Sequence, residues 1–191
     1  VGHNSWLWGS AFTACELPGM LMMAGSQDGY LNDNATALGV ISVGNFAARN
    51  SVPMLAGGTD INAAVKSGDF VPASSFGSDA NGNVHPTVSA PGFMVISALN
   101  TYDSGYYTAL PSRLSFAATH PASGVTNYWG QNTGTSMAAP TVAGIVALWL
   151  EANPTLSPAQ VKQMLISSAI SDDFVRRNPA RFGNGKVNAL G

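Results

Sequence analysis

Charge is scarce in this sequence: only 9% of its 191 residues are Asp, Glu, Lys or Arg, against roughly 25% in an average soluble protein. Eight basic and ten acidic side chains leave a net charge of −2, which excludes the basic footprint that nucleic acid or an anionic membrane surface would select. Cysteine is nearly absent. Cys15 stands alone, so no internal disulfide and no Cys-based metal site is possible, and no His spacing supports zinc. Long hydrophobic runs are missing too, for the longest, Ile145–Leu150, falls far short of the roughly 20 residues of a membrane-spanning helix. What is present is 46% hydrophobic residues with a polar surface built from Ser, Thr, Asn and Gly, enough for one domain over residues 1–191 with its own core. Such a surface suits a secreted or cell-surface protein. The opening "VGHNSWLWGS" carries neither an initiator Met nor a charged leader and reads as the inside of a domain.

Short apolar runs bounded by Gly, Asn and Ser recur through the first hundred residues: "LMMAG" (21–25), "GVISVG" (39–44) and "FMVISAL" (93–99). Near-continuous runs of this length fit strands covered on both faces, as in a parallel sheet. The last third is helical. Met137 to Leu150 is apolar on nearly every side, the pattern of a helix packed inside a fold, with Ala139, Ala143 and Ala147 on one stripe. A second helix follows Asn153-Pro154. Ser157 is its expected N-cap, Pro158 its first residue and Gln160 the partner in a capping box, with Val161, Met164, Leu165 and Ser168 facing inward. Residues 99–133 have weak periodicity and read as a long surface excursion. Strands first and helices around them indicate an α/β sandwich.

Ser136 lies in "NTGTSMAAPTVAG", at the mouth of the apolar helix. A helix N-terminus exposes unpaired N–H groups and the positive end of the dipole. A serine there can attack a carbonyl while its own N–H holds the resulting oxyanion. Gly134 permits close backbone approach, and Ala138 and Ala139 leave room for a substrate. Pro140 is unexpected, since it removes a donor just inside the helix. A plain N-cap is the other reading, because Ser is favoured there.

"GTSMAAPTVAG" resembles the nucleophile motif of the subtilisin-like serine proteases, the subtilases. "FGSDANGNVHPTVSAPGFMVISA" (76–98) is similar to the family's segment ahead of the nucleophile, with Ala90-Pro91-Gly92 as its hallmark. "GVISVG", "HNSWLWGS" and the closing "FGNGKVNALG" match in the family's order, so the resemblance covers almost the whole chain. It implies a three-layer α/β/α fold with a mostly parallel sheet, here an N-terminally truncated version, and a serine endopeptidase with Ser136 as nucleophile. It further implies that Ser5-Trp6-Leu7 is an edge strand that pairs with an extended peptide substrate. Ala24 and Gly25 would then line the opposite wall of the cleft. Trp6 and Trp8 equally fit ordinary core aromatics.

The sequence departs from the family at two places. A serine hydrolase needs a base and a carboxylate that orients it, and in subtilases both precede the cleft strand with which this chain begins. An upstream segment or a second chain is therefore the expected source of the Asp and His. His3, His85 and His120 lack the family's context for the base, and Asp103 in "YDSGYY" reads as a polar turn. Ser26 stands where the family places its oxyanion Asn, and losing such a donor costs about 10²- to 10³-fold in turnover. Asp28, Asn32, Asp33 and Asn34 offer oxygen ligands for calcium, although turns favour the same residues. The alternatives are a non-catalytic subtilase-like module that binds extended peptides, and a hydrolase that pairs Ser136 with His3 or His120.

Overall fold

The computed structural model describes residues 31, 33–37, 39–79, 81–102 and 110–190. The chain divides into two compact units, residues 1–44, 75–89 and 149–191 forming the first and residues 45–74 and 90–148 the second. Helices and strands are mixed, the α/β class expected. Strands β1 (Val43–Phe46) and β6 (Val88–Pro91) pair with each other, so "GVISVG" does supply a strand.

The second unit is built on a small apolar cluster of Ala47, Val52, Val65, Val71, Phe93 and Met94, with Ile96 against it. Strands β2 (Ser51–Pro53) and β3 (Thr59–Ile61) form an antiparallel hairpin. Its turn runs through Gly57 and Gly58 at φ 96° and 83°, backbone angles that glycine adopts at no steric cost. A three-stranded antiparallel sheet has the order β7 (Val95–Ala98), β9 (Thr126–Asn132), β8 (Leu114–Thr119). Val95 lies opposite Asn132 and Ala98 opposite Trp129. That register fixes the end of β9, and with it the turn that follows, beside the start of β7. Residues 99–133, expected as an excursion, thus contain a hairpin that extends a sheet. The periodicity was weak because β8 is buried only at Leu114 and Ser115, and a strand exposed on both faces carries no alternation of polarity.

The first unit carries the short helix α1 (Asp33–Thr36), the two-residue strands β4 (Gly77–Ser78) and β5 (Val84–His85), and the C-terminal helices. The capping box forms as its spacing predicts. Ser157 Oγ accepts from the N–H of Gln160, whose side chain accepts from the N–H of Ser157, at the start of α3 (Pro158–Ser168). Val161 and Leu165 are buried and Met164 and Ser168 half-buried, the inward face anticipated. Helix α4 (Asp173–Arg177) is capped by Asp172, and α5 (Pro179–Phe182) buries Phe182 completely. Lys186 is nearly buried, pairs with Asp172 Oδ2 at 2.6 Å and lies over the rings of Phe174 and Phe182. Burial alone pushes the Asp172 carboxyl pKa up. The hydrogen bond and charge of Lys186, with the N–H groups of Val175 and Phe174, outweigh it and hold the pKa below the usual carboxylate value.

Helix α2 (Thr135–Ala152) corrects one expectation. Only Ala138 and Val142 are buried, while Ala139, Ala143, Gly144, Ala147 and Leu148 are exposed, Leu148 at 63%. Composition reports what a face would tolerate against it, not what packs there, and here a single stripe is covered. Among the described residues α2 is also the one helix whose length and mean hydropathy of 1.3 would let it cross a membrane. Its first turn belongs to the second unit.

Candidate active site

The chain leaves β9 at Asn132 and reaches α2 through Thr133 and Gly134. Two hydrogen bonds fasten this turn to the segment after β6. Gly134 N–H donates to Gly92 O at 2.8 Å, and Met94 N–H donates to Thr133 Oγ1 at 3.0 Å. Gly134 has φ 151°, a value side chains rarely permit. Met94 has φ 50°, uncommon for a non-glycine residue. Its side chain is buried in the apolar cluster, which holds it there. Met137 N–H and Ala138 N–H both return to Gly134 O, at 3.0 and 3.4 Å, and so begin the helix.

Ser136 is the second residue of α2 and is exposed. Among the described residues no group hydrogen-bonds its hydroxyl, and no acceptor takes its N–H. That N–H points with the helix dipole and is available to an oxyanion, as first-turn donors are. Pro140, unexpected in the sequence, stands four residues on, where a helical N–H would have met the carbonyl of Ser136. Tight packing meets the turn from below. A methyl on Gly92 would lie 2.6 Å from both Asn45 Oδ1 and Gly134 O, and 2.9 Å from Ala138 Cβ. Glycine at 92 is thus what lets the turn before α2 approach β6.

The other expected residues are distributed as follows. Ser5, Trp6, Leu7, Ala24, Gly25 and Ser26 lie outside the described residues, as do His3, Asp28, Asn32 and Asp103. His120 is exposed on the β8–β9 turn, where its Nδ1 accepts from the N–H of Ser123 at 3.3 Å. Both ring nitrogens of His85 are engaged. Nδ1 is 2.7 Å from Ser42 Oγ and Nε2 is 3.4 Å from Asp79 Oδ2, with Thr87 N–H donating to Ser42 Oγ at 2.9 Å. Ser42 Oγ thus stands between a ring nitrogen of His85 and the N–H of Thr87. The chain of serine, histidine and aspartate is that of a hydrolase, but Ser42 is 6% and His85 5% exposed. It links the residue before β1 and the residue after β4 to β5, and its serine and histidine face no solvent. Asp79 is held well below the usual carboxylate range, at about 2, first by the side-chain amide of Asn83, and also by its N–H, His85 and the N–H of Asn81. For calcium, no cluster of three or more His, Cys, Asp or Glu occurs among the described residues. Asn45, which no motif flagged, lies within hydrogen-bond reach of Gly92. Its one signal was an amide inside the apolar stretch "GVISVGNF".

Comparison with known proteins agrees with the motif. A model of the Subtilase family matches residues 20–185. Serine protease AprX of Bacillus subtilis (strain 168) is 34% identical over 68% of this chain and 27% of its own length. Alkaline elastase YaB of Bacillus sp. (strain YaB) is 31% identical over 68% of this chain and 34% of its own. The minor extracellular protease Vpr of Bacillus subtilis (strain 168) is 31% identical over 46% of this chain and 9% of its own. The chain belongs to the subtilase family of serine proteases. It spans about a quarter of the length of AprX and a third of that of elastase YaB.

Proposed function

We propose that this chain is the nucleophile-bearing part of a subtilisin-like serine endopeptidase, in which Ser136 attacks the peptide carbonyl and forms an acyl-enzyme. An aspartate and a histidine on an upstream segment or a second chain complete it: the histidine takes the proton of the Ser136 hydroxyl, and the aspartate orients the ring. The N–H of Ser136 stabilises the oxyanion, with Ser26 in the place of the family's usual amide. Ser5, Trp6 and Leu7 pair with the substrate backbone, and Ala24 and Gly25 line the cleft. As one domain the protein would act outside the cell or at its surface, a placement in keeping with an extracellular protease among its relatives.

One observation carries the reading: Ser136 is open to solvent at a helix N-terminus with its N–H free, while the described histidines are elsewhere engaged or out on a turn. The exposed apolar side of α2 supports it further, since it leaves room beside Ser136 for a complementary segment. The same lack of a base among the described residues favours a second reading, a module that binds extended peptides without cleaving them. Joining the chain to a segment that supplies Asp and His separates the two. The protease reading expects cleavage of an unfolded protein substrate that drops about 10⁴-fold or more in Ser136→Ala, as loss of a triad serine does. Binding of the peptide with no cleavage supports the module.

A further inference from the structure

Asn45 is 2% exposed, and its backbone is fixed from both sides. Its N–H donates to Ser74 Oγ at 2.9 Å, and its carbonyl accepts from Val71 N–H at 3.0 Å. The side chain therefore has little freedom, and it reaches across to Gly92. Asn45 Nδ2 donates to Gly92 O at 3.2 Å, the same oxygen that accepts the N–H of Gly134. Asn45 Oδ1 has no hydrogen-bond partner, which is uncommon for a buried amide oxygen. It faces the Cα of Gly92, where a built Cβ would sit 2.6 Å away. A Cα–H···O contact is the weak interaction such a placement offers.

We propose that Asn45 is a positioning residue for the nucleophile. Its amide grips the peptide of Gly92 with the N–H on the carbonyl and the oxygen over the Cα. Gly92 O in turn holds Gly134, two residues before Ser136. A misplaced Gly92 carbonyl would release Gly134 and let the first turn of α2 drift, and catalysis is sensitive to displacements of about 1 Å. An apolar residue of the same size would fill the space without the grip. The catalytic consequence rests on Ser136 being the nucleophile. The structural one does not.

Two near-isosteric variants test this. Asn45→Asp removes the donated hydrogen, and Asn45→Leu removes both polar groups while bringing no charge into the core, so it supplies the comparison should Asn45→Asp fail to fold. In the 191-residue chain, hydrogen exchange at Gly134 N–H is expected to run about tenfold faster in either variant, the effect of losing one ordinary hydrogen bond. Exchange at Leu55 N–H, bonded to Leu114 O in the same unit, is expected to stay as it was. No change at Gly134, or an equal change at Leu55, overturns the proposal. In the chain joined to a base-bearing segment, kcat is expected to fall about tenfold with KM within about twofold, the pattern of an interaction that matters in the transition state. A raised KM at unchanged kcat overturns the positioning role. A wild-type assembly that cleaves nothing counts against the protease reading, and the exchange comparison still decides the place of Asn45.

Discussion

Two serines in this molecule are opposites. Ser42 has what a hydrolase needs in hydrogen bonds, a histidine at 2.7 Å and an aspartate beyond it, yet it is sealed in the first unit. Ser136 has no such partner among the described residues and is open to solvent, on a helix N-terminus with a free N–H. A constellation of residue types is therefore not enough to make Ser42 a nucleophile. Access, and a donor aimed at the developing charge, are needed as well. The buried chain is best understood as satisfaction of polar groups: each of Ser42, His85 and Thr87 would be costly to bury alone, and together they hold one another.

Substitution sharpens the contrast. In the completed enzyme, Ser136→Ala should remove activity about 10⁴-fold or more while leaving urea unfolding of the chain unchanged. Ser42→Ala should do the reverse. It leaves a buried ring nitrogen of His85 without its partner, while the Thr87 N–H keeps the carbonyl of Ser42 at 2.8 Å, and costs about 1–2 kcal/mol in urea unfolding, with turnover per folded molecule intact. Loss of turnover in Ser42→Ala without loss of stability would break the comparison.

Asp79 tests the buried chain through pH. Its folded pKa, about 2, lies below the ordinary 3.8, so its contribution to stability is complete above about pH 4 and fades as pH falls towards 2. Asp79→Asn should flatten that part of the acid unfolding curve, and an unaltered curve would show that the carboxylate is not engaged. The smallest effect belongs to α2. Leu148→Ser on its exposed side should change the stability of the isolated chain by no more than about 0.5 kcal/mol, measured by the same unfolding. A cost of about 2–3 kcal/mol would mean that this side is packed.

Some of this was legible in the sequence because the cause was local. The capping box at Ser157 and Gln160 depends on four consecutive residues, and a helix starting near Ser136 followed from composition and one motif. The exposure of α2 was not legible, since apolar residues look alike whether or not anything covers them. The β8–β9 hairpin stayed hidden because its exposed strand, with Phe116 turned to solvent, has no polar alternation. Asn45 acts on Gly92 across 47 positions of chain, and His85 meets Ser42 across 43. Such pairings exist only after folding, and a single sequence does not announce them.

Among the described residues Ser136 is an exposed hydroxyl with no base beside it, and the proposed function puts its proton acceptor on another segment. Reaction of the isolated 191 residues with a fluorophosphonate, read by mass spectrometry of the peptide bearing Ser136, decides that placement. A trace of adduct at Ser136 is expected after long incubation, and rapid labelling once an Asp- and His-bearing segment is added. Rapid stoichiometric labelling of Ser136 in the chain alone would contradict it.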